Sequence, residues 1–236
     1  MISYPKVVTI DGPVGSGKGT VGQKLALKLG WGFLDSGALY RVCALVATEN
    51  SLDSSRSNTI LEIVGDSDFR SEPRADGEEA LVFLKGANVS EQIRTPDIAK
   101  FASELAVNKS IRAGLMSIQK NYLRESGLIA DGRDVGTVVF PDALLKVYLD
   151  ASLYARAKRK YIQLKNKGVC VNFDTLYKEI EQRDARDSTR IHAPLTKPEG
   201  ALVIDTSNLP PDEVVIRILN ELDTVCRMEF ESEKIC

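Results

Sequence analysis

Nine residues, Gly12-Pro13-Val14-Gly15-Ser16-Gly17-Lys18-Gly19-Thr20, constrain this chain more than any other segment. They follow an apolar run, Val7-Val8-Thr9-Ile10, and precede a helical pattern with Val21, Leu25 and Leu29 on one face at i, i+4 and i+8. Strand, glycine loop, helix is the context in which the pattern G-x-x-x-x-G-K-[ST] binds phosphate, and the run matches its first seven positions. Glycines let backbone N–H groups curl around phosphate oxygens, and the helix N-terminus adds its positive end. Lys18 reaches the β- and γ-phosphates as a point charge. A chance glycine turn between strand and helix is the competing reading, and the flanking pattern disfavours it. One position departs: Gly19 stands where most such loops place a magnesium-binding hydroxyl, and Thr20 follows it.

At 236 residues the chain is long for one domain but within range for one α/β core with an insertion. With 43% hydrophobic and 27% charged residues it has ample material for a core. A net charge of −2 gives no global signal of nucleic-acid binding, so any basic site is local. Apolar runs fall far below the ~20 residues of a membrane span. The opening Met-Ile-Ser-Tyr-Pro-Lys lacks signal-peptide features, and a soluble, cytoplasmic protein is expected. Cys43, Cys170, Cys226 and Cys236 form no C-x-x-C pair, and only His192 supplies imidazole. A zinc site is therefore not expected, and the thiols read as small apolar residues.

Strand-like runs alternate with helical patterns. Val7–Ile10, Gly32–Asp35, Leu128–Asp131, Lys146–Asp150 and Ala201–Asp205 read as strands. Helices are expected after Lys18, over Ala38–Ala47, after Ser152 as N-cap, and from Pro211 with Val215, Ile218, Leu219 and Leu222. This alternation predicts a parallel sheet covered on both faces. The strands end in Asp11, Asp35, Asp131, Asp150 and Asp205, and ligands of open α/β sheets bind beyond such carboxyl ends. Some of these acids face the site and others only cap helices, a reading that fits Asp150 and Asp205 best. Between them, Ser51–Asn58 reads as a loop and residues 66–94 as a small antiparallel insertion. Leu81–Leu84 and Ala87–Val89 flank the hairpin signal Lys85-Gly86, and Asp68–Arg70 pairs beside them. One long helical pattern follows, from Pro96 to Leu123.

Two arginines stand just past strand ends. Arg41 follows Asp35-Ser36-Gly37, and Arg133 follows Asp131, whose apolar run resembles a Walker-B strand with a carboxylate for magnesium or its water. Either alone reads as a surface ion pair; together, beside a phosphate loop, they read as bidentate phosphate donors. Arg183, Arg186 and Arg190 share one helix face, and Arg156 and Arg159 sit on an earlier helix. A solvated face with an Arg183–Asp187 pair is the plain reading. A mobile arginine lid, worth roughly 10³-fold or more in rate, is the functional one.

Taken together, ITIDGPVGSGKGT, FLDSGALYR, EQIRTPDIAKFAS, IADGRDVGTVVFPDA, KVYLDAS and QRDARDSTR resemble bacterial cytidylate kinases nearly end to end. The G-K-G-T of the loop is itself similar to nucleoside monophosphate kinases; ADGRD-x-GTVVFPDA and LDSGA-x-YR are far more discriminating. The resemblance implies a P-loop kinase-type α/β fold: a parallel sheet of about five strands, helices on both faces, a small antiparallel β insertion and a helical lid. Its domain map is a core of residues 1–65, 95–155 and 191–236, a nucleoside-monophosphate-binding insertion at 66–94 and a lid at 156–190. Its reaction is ATP plus CMP or dCMP giving ADP plus CDP or dCDP, with magnesium, no nucleic-acid or membrane partner, and a monomeric state.

Site roles come with the resemblance. Gly12 to Thr20 bind ATP, with Thr20 and Asp131 toward magnesium through water-mediated contact. Lys18, Asp131, Arg133, Arg156, Arg159 and Arg186 form the catalytic set. Ser36, Arg41 and Arg133 lie around CMP; Ser103, Arg112 and Asp134 read cytosine; Arg183, Asp187 and Arg190 contact sugar, phosphate or base. A carboxylate at Asp134 accepts from cytosine N4, where uracil presents an oxygen. Val14 departs from the small polar residue expected there, a change tolerated because the loop works through its N–H groups. No histidine base is required, since a phosphate monoester with a second pKa of about 6 is largely deprotonated near neutrality. The rivals are a kinase for UMP, AMP or shikimate, a GTP switch protein and a nucleic-acid-binding ATPase. Asp134 and Ser103 oppose the first. Asn108-Lys109-Ser110-Ile111 and Asn166-Lys167-Gly168-Val169 fail the N-K-x-D motif of the second. Lys158-Arg159-Lys160 is too brief a basic run for the third. Trp31 is expected to pack near the end of the first helix and His192 to lie in a polar loop.

Overall fold

The computed structural model describes residues 5–190 and 193–233. In chain order the elements are β1 (Val7–Asp11), α1 (Lys18–Leu29), β2 (Gly32–Asp35), α2 (Ser36–Glu49), α3 (Ser57–Gly65), β3 (Arg70–Glu72), β4 (Leu81–Leu84), β5 (Ala87–Asn88), α4 (Pro96–Leu105), α5 (Lys109–Lys120), β6 (Leu128–Gly132), β7 (Leu145–Asp150), α6 (Leu153–Asn166), α7 (Phe173–Thr189), β8 (Leu202–Asp205) and α8 (Pro211–Glu233). Five strands form one sheet in the order β2-β6-β1-β7-β8, and β3-β4-β5 form a second. The expected parallel sheet with a small antiparallel insertion is therefore present. The chain divides into two compact units, Met1–Val21 with Gly132–Cys236, and Gly22–Asp131.

In the first unit β1 pairs parallel with β7, and β7 with β8. Val7, Val8, Ile10, Val147 and Leu149 are buried, as continuous apolar strands covered on both faces require. Ser152 caps α6 by accepting from Ala155 N–H, and Asn172 caps α7 by accepting from Thr175 N–H. The two helices close on Ala157, Leu176 and Ile180, and Val14 of the glycine loop packs against that cluster. In α8, Val215, Ile218 and Leu222 of the expected stripe are buried and Leu219 is half-buried, with Val214 buried beside them.

In the second unit β2 pairs parallel with β6, and α2 packs on α4. The β4–β5 hairpin forms around Lys85-Gly86 as expected, and β3 pairs antiparallel with β4. Ser71 of β3 donates to Phe33 O (2.7 Å), accepts from Asp35 N–H (3.2 Å), and its own N–H meets the Tyr122 hydroxyl (2.9 Å). The insertion is thereby stitched to the end of β2. Two expectations shift. The third strand lies at 70–72 rather than 68–70, following a short helix, α3, whose first residues the polar loop reading had absorbed. The pattern over 96–123 is two helices, because Asn108 accepts from the N–H groups of Ser110 and Ile111 and starts α5 afresh. Trp31 follows α1, donating to Ala26 O, with its ring against Gly127. His192 and Cys236 lie outside the described residues. Among those described, no helix is long and apolar enough to cross a membrane.

Candidate active site

The glycine loop leaves the sheet at Gly12, where φ is +150° and an added Cβ would stand 2.0 Å from Leu149 O of β7, so only glycine fits. The loop then climbs into α1, whose first-turn N–H groups have no helical acceptor. Pro13 O accepts from Ser16 Oγ (3.0 Å) and from Lys18 Nζ (2.9 Å), folding the buried lysine across its own loop. Three further carbonyls are held from neighbouring elements. Arg156 Nη1 donates to Val14 O (3.1 Å), Arg159 Nη1 to Gly15 O (3.3 Å) and Thr206 Oγ1 to Ser16 O (2.8 Å). Tying carbonyls back suits a loop whose N–H groups are to meet an anion. Arg156 also pairs with Asp184 at 2.6 Å and donates to Ala151 O, and Arg159 donates to Thr206 O. Burial lowers the Arg159 pKa, against the opposing pull of Asp205.

After β6 the chain presents Arg133 and the buried Asp134, then tightens into a π-helical turn over Val135–Val139. Asp11, at the end of β1, receives the first two N–H groups of that turn. Val135 donates to Oδ1 at 2.9 Å and Gly136 to Oδ2 at 2.7 Å. Burial raises the Asp11 pKa to about 6; the two N–H groups pull it down, Asp134 pushes it up and Lys18 lowers it. Arg133 Nε donates to Asp187 Oδ2 at 3.0 Å, and Arg190 Nη2 stands 3.6 Å from Oδ1. Burial alone would raise the Asp187 pKa; Arg133, Arg190 and Arg183 together hold it below the usual carboxylate range. Arg183, the expected partner of Asp187, contributes its charge to this cluster. Arg186 is exposed on α7, Thr20 is half-buried in the first turn of α1, and Gly17 and Gly19 flank Lys18.

The second unit carries its own group. Asp35 caps α2 by accepting from Ala38 N–H at 2.9 Å, and Ser36 is buried as the first helical residue. Arg41 Nη1 donates to Ile93 O (3.0 Å). Ser103 Oγ donates to Ala99 O (3.0 Å) on α4. Arg112 donates to Ala106 O (3.2 Å), with its guanidinium 5.9 Å from the Tyr40 ring centroid. Asp131 is buried on β6, in register with Asp35. Asp150 and Asp205 do cap local backbone: Asp150 accepts from Ala151 N–H and Asp205 from Ser207 N–H.

Sequence reading singles out neither Asp184 nor Thr206, and gives Asp11 no role beyond ending a strand. The available signal for Asp11 was an aspartate directly before the loop, in a strand otherwise apolar. Asp184 and Thr206 offer none, because their partners, Arg156 and Ser16, are distant in the chain.

A glycine loop feeding a helix from the carboxyl end of a parallel strand, with arginines on the following helices, defines a P-loop nucleotide-binding protein. The particular family is equally plain: the cytidylate kinase family model matches residues 8–224, and the chain belongs to that family. It is 47% identical over 214 residues to the cytidylate kinase of Pasteurella multocida (strain Pm70), covering 91% of this chain and 93% of that protein. It is 45% identical over 222 residues to that of Stutzerimonas stutzeri (strain A1501), covering 94% and 97%. Cytidylate kinase 1 of Haemophilus influenzae (strain ATCC 51907 / DSM 11121 / KW20 / Rd) is 45% identical over 213 residues, covering 90% and 91%.

Proposed function

We propose that this protein is an ATP-dependent kinase that phosphorylates CMP or dCMP to CDP or dCDP. The observation that carries the reading is the arginine cluster, Arg133 and Arg190 gathered on Asp187, in the unit that also holds the phosphate loop. Loop N–H groups and Lys18 hold the β- and γ-phosphates of ATP. Lys18 exchanges its Pro13 carbonyl for a phosphate oxygen, a stronger, charge-assisted partner. Ser36, Arg41 and Arg133 take the acceptor phosphate; Ser103, Arg112 and Asp134 take the base; Arg183, Asp187 and Arg190 complete the acceptor contacts. Catalysis consists of in-line positioning and charge stabilisation. The acceptor phosphate attacks as an anion and needs no protein base.

Magnesium takes oxygen ligands, keeps several waters and is held through one or two carboxylates plus substrate phosphates. The buried Asp131 carboxylate and the Thr20 hydroxyl are donors of that kind and would hold it, Asp131 through water. When bound, the ion neutralises charge on the transferring phosphoryl group. The domain reading belongs to the same proposal: 66–94, which contains the three-stranded sheet, is the acceptor-binding insertion, and 156–190, spanning most of α6 and α7, is the lid. Arg156, Arg159 and Arg186 act from that lid. The protein works as a cytoplasmic monomer, which sedimentation and cell fractionation check.

The test is ADP release with ATP and Mg²⁺, offering CMP, dCMP, UMP, AMP and GMP separately. Strong turnover with CMP and dCMP, weak turnover with UMP and none with purines is expected. UMP turnover equal to CMP would replace cytidylate by pyrimidine specificity, and no acceptor-dependent turnover would overturn the proposal.

A further inference from the structure

We propose that Asp11 is a positioning residue for acceptor selection, clamping the turn that carries Arg133 and Asp134 by taking both of its leading N–H groups. This rests on the reading that Asp134 faces the cytosine.

The clamp is specific in its geometry. Two adjacent peptide N–H groups, Val135 and Gly136, meet the two oxygens of one carboxylate at 2.9 and 2.7 Å. Asp134 immediately precedes them and adopts φ −144°, ψ 20°. Its own carbonyl accepts from Val138 N–H at 2.9 Å, so both ends of its peptide environment are fixed by the turn. A one-residue slip of this turn would re-aim the Asp134 side chain and, through Gly132, Arg133.

Gly136 supplies an independent observation. A Cβ there would stand 2.6 Å from Thr9 Oγ1, 3.0 Å from Asp11 Oδ2 and 3.3 Å from Pro198 Cγ. The turn is seated so closely on the end of β1 that no side chain fits between them. The residue type at position 11 follows from the same contacts. The two N–H groups meet separate oxygens, and an amide would set its NH2 donor against one of them, whereas a carboxylate accepts from both. Burial makes this a costly place for a charge, as the raised pKa records, and a site needing only a filler would not retain it.

Asp11→Asn keeps shape and removes one acceptor. The clamp predicts that KM for CMP rises about tenfold, and that the CMP:UMP ratio of kcat/KM falls by about tenfold. KM for ATP is expected to stay within about twofold. Gly136→Ala should show the same signature, and the double variant should be no worse than Asp11→Asn, since both act on one contact. Equal falls for CMP and UMP, as a loss of folded protein produces, would overturn the proposal. An effect on ATP alone would do the same. Should either variant fail to fold, amide exchange in the wild-type chain decides: Val135 and Gly136 must exchange slowly, and fast exchange defeats the clamp. A wild-type chain that phosphorylates no CMP removes the functional reading first, and this proposal with it.

Discussion

Asp11, fully buried, and Asp187, half-buried, belong to one unit, lie near Arg133 or the turn that follows it, and behave oppositely. Asp11 is held by peptide dipoles and sits beside another acid, so burial wins and its pKa rises to about 6. Asp187 is held by guanidinium groups, so charge wins and its pKa falls. The difference separates two jobs. Peptide N–H groups are fixed by the backbone and have no other anion to choose, so Asp11 sets geometry. Arginine side chains can trade a carboxylate for a phosphate, so on the proposed reading Asp187 keeps Arg133 and Arg190 assembled until the acceptor phosphate arrives.

The largest test of this contrast is Arg156, a buried arginine 2.6 Å from Asp184. Arg156→Met leaves Asp184 without its cation and Val14 O and Ala151 O without their donor. Stability should fall by about 3–5 kcal/mol, read by urea denaturation. A loss below about 1 kcal/mol would mean that these arginines are interchangeable surface charges.

Next in size is the pH dependence, where the two acids must diverge. The folded Asp11 pKa lies above its unfolded value, so the native state binds the extra proton between pH 3.8 and about 6. Its contribution is full below 3.8 and is lost as pH rises through 6, on the order of 3 kcal/mol. Asp187 has the opposite sign: its contribution is present above the unfolded value and is lost as pH falls through the lowered folded value. Unfolding curves between pH 3 and 7 should therefore flatten above pH 4 in Asp11→Asn and below pH 4 in Asp187→Asn. Identical pH profiles for the two variants would erase the distinction.

Arg133→Met probes the exchangeable side directly. Asp187 retains Arg190 and Arg183, so the fold should survive while kcat/KM for CMP drops roughly 10²-fold, mostly through KM. A stability loss with unchanged KM would make Arg133 a structural partner only.

What was legible in the sequence divides along the same line. The phosphate loop, the alternating elements and the hairpin at Lys85-Gly86 are local patterns, in which period and turn chemistry act over a few residues. The break at Asn108 was equally local, yet a continuous helical period masked the cap. The Asp11 clamp spans 124 and 125 residues in the chain, and Thr206 reaches Ser16 across 190. No spacing rule encodes such contacts; they arise when parallel pairing brings strand ends together. Arg133 was expected at a phosphate from its residue type and place, and Asp187 beside Arg183 or, by resemblance, at the acceptor; that Asp187 accepts from Arg133, 54 residues away, had no signal in the sequence.

The smallest expected effect isolates the variable that matters. Arg217 and Glu213 pair at 2.6 Å on α8, the same distance as Arg156 and Asp184, but with side chains 51% and 45% exposed. Equal distance with unequal burial makes the two pairs a matched comparison. Water screens the α8 pair and both side chains lose rotamer freedom in forming it, so Glu213→Gln should cost only about 0.3–0.5 kcal/mol. That cost should shrink further in high salt, whereas the Arg156 effect should persist because little solvent reaches it. If the exposed pair proved as costly as the buried one, distance alone would govern these contacts. The division between a fixed clamp and an exchangeable cluster, which depends on burial, would then lose its physical basis.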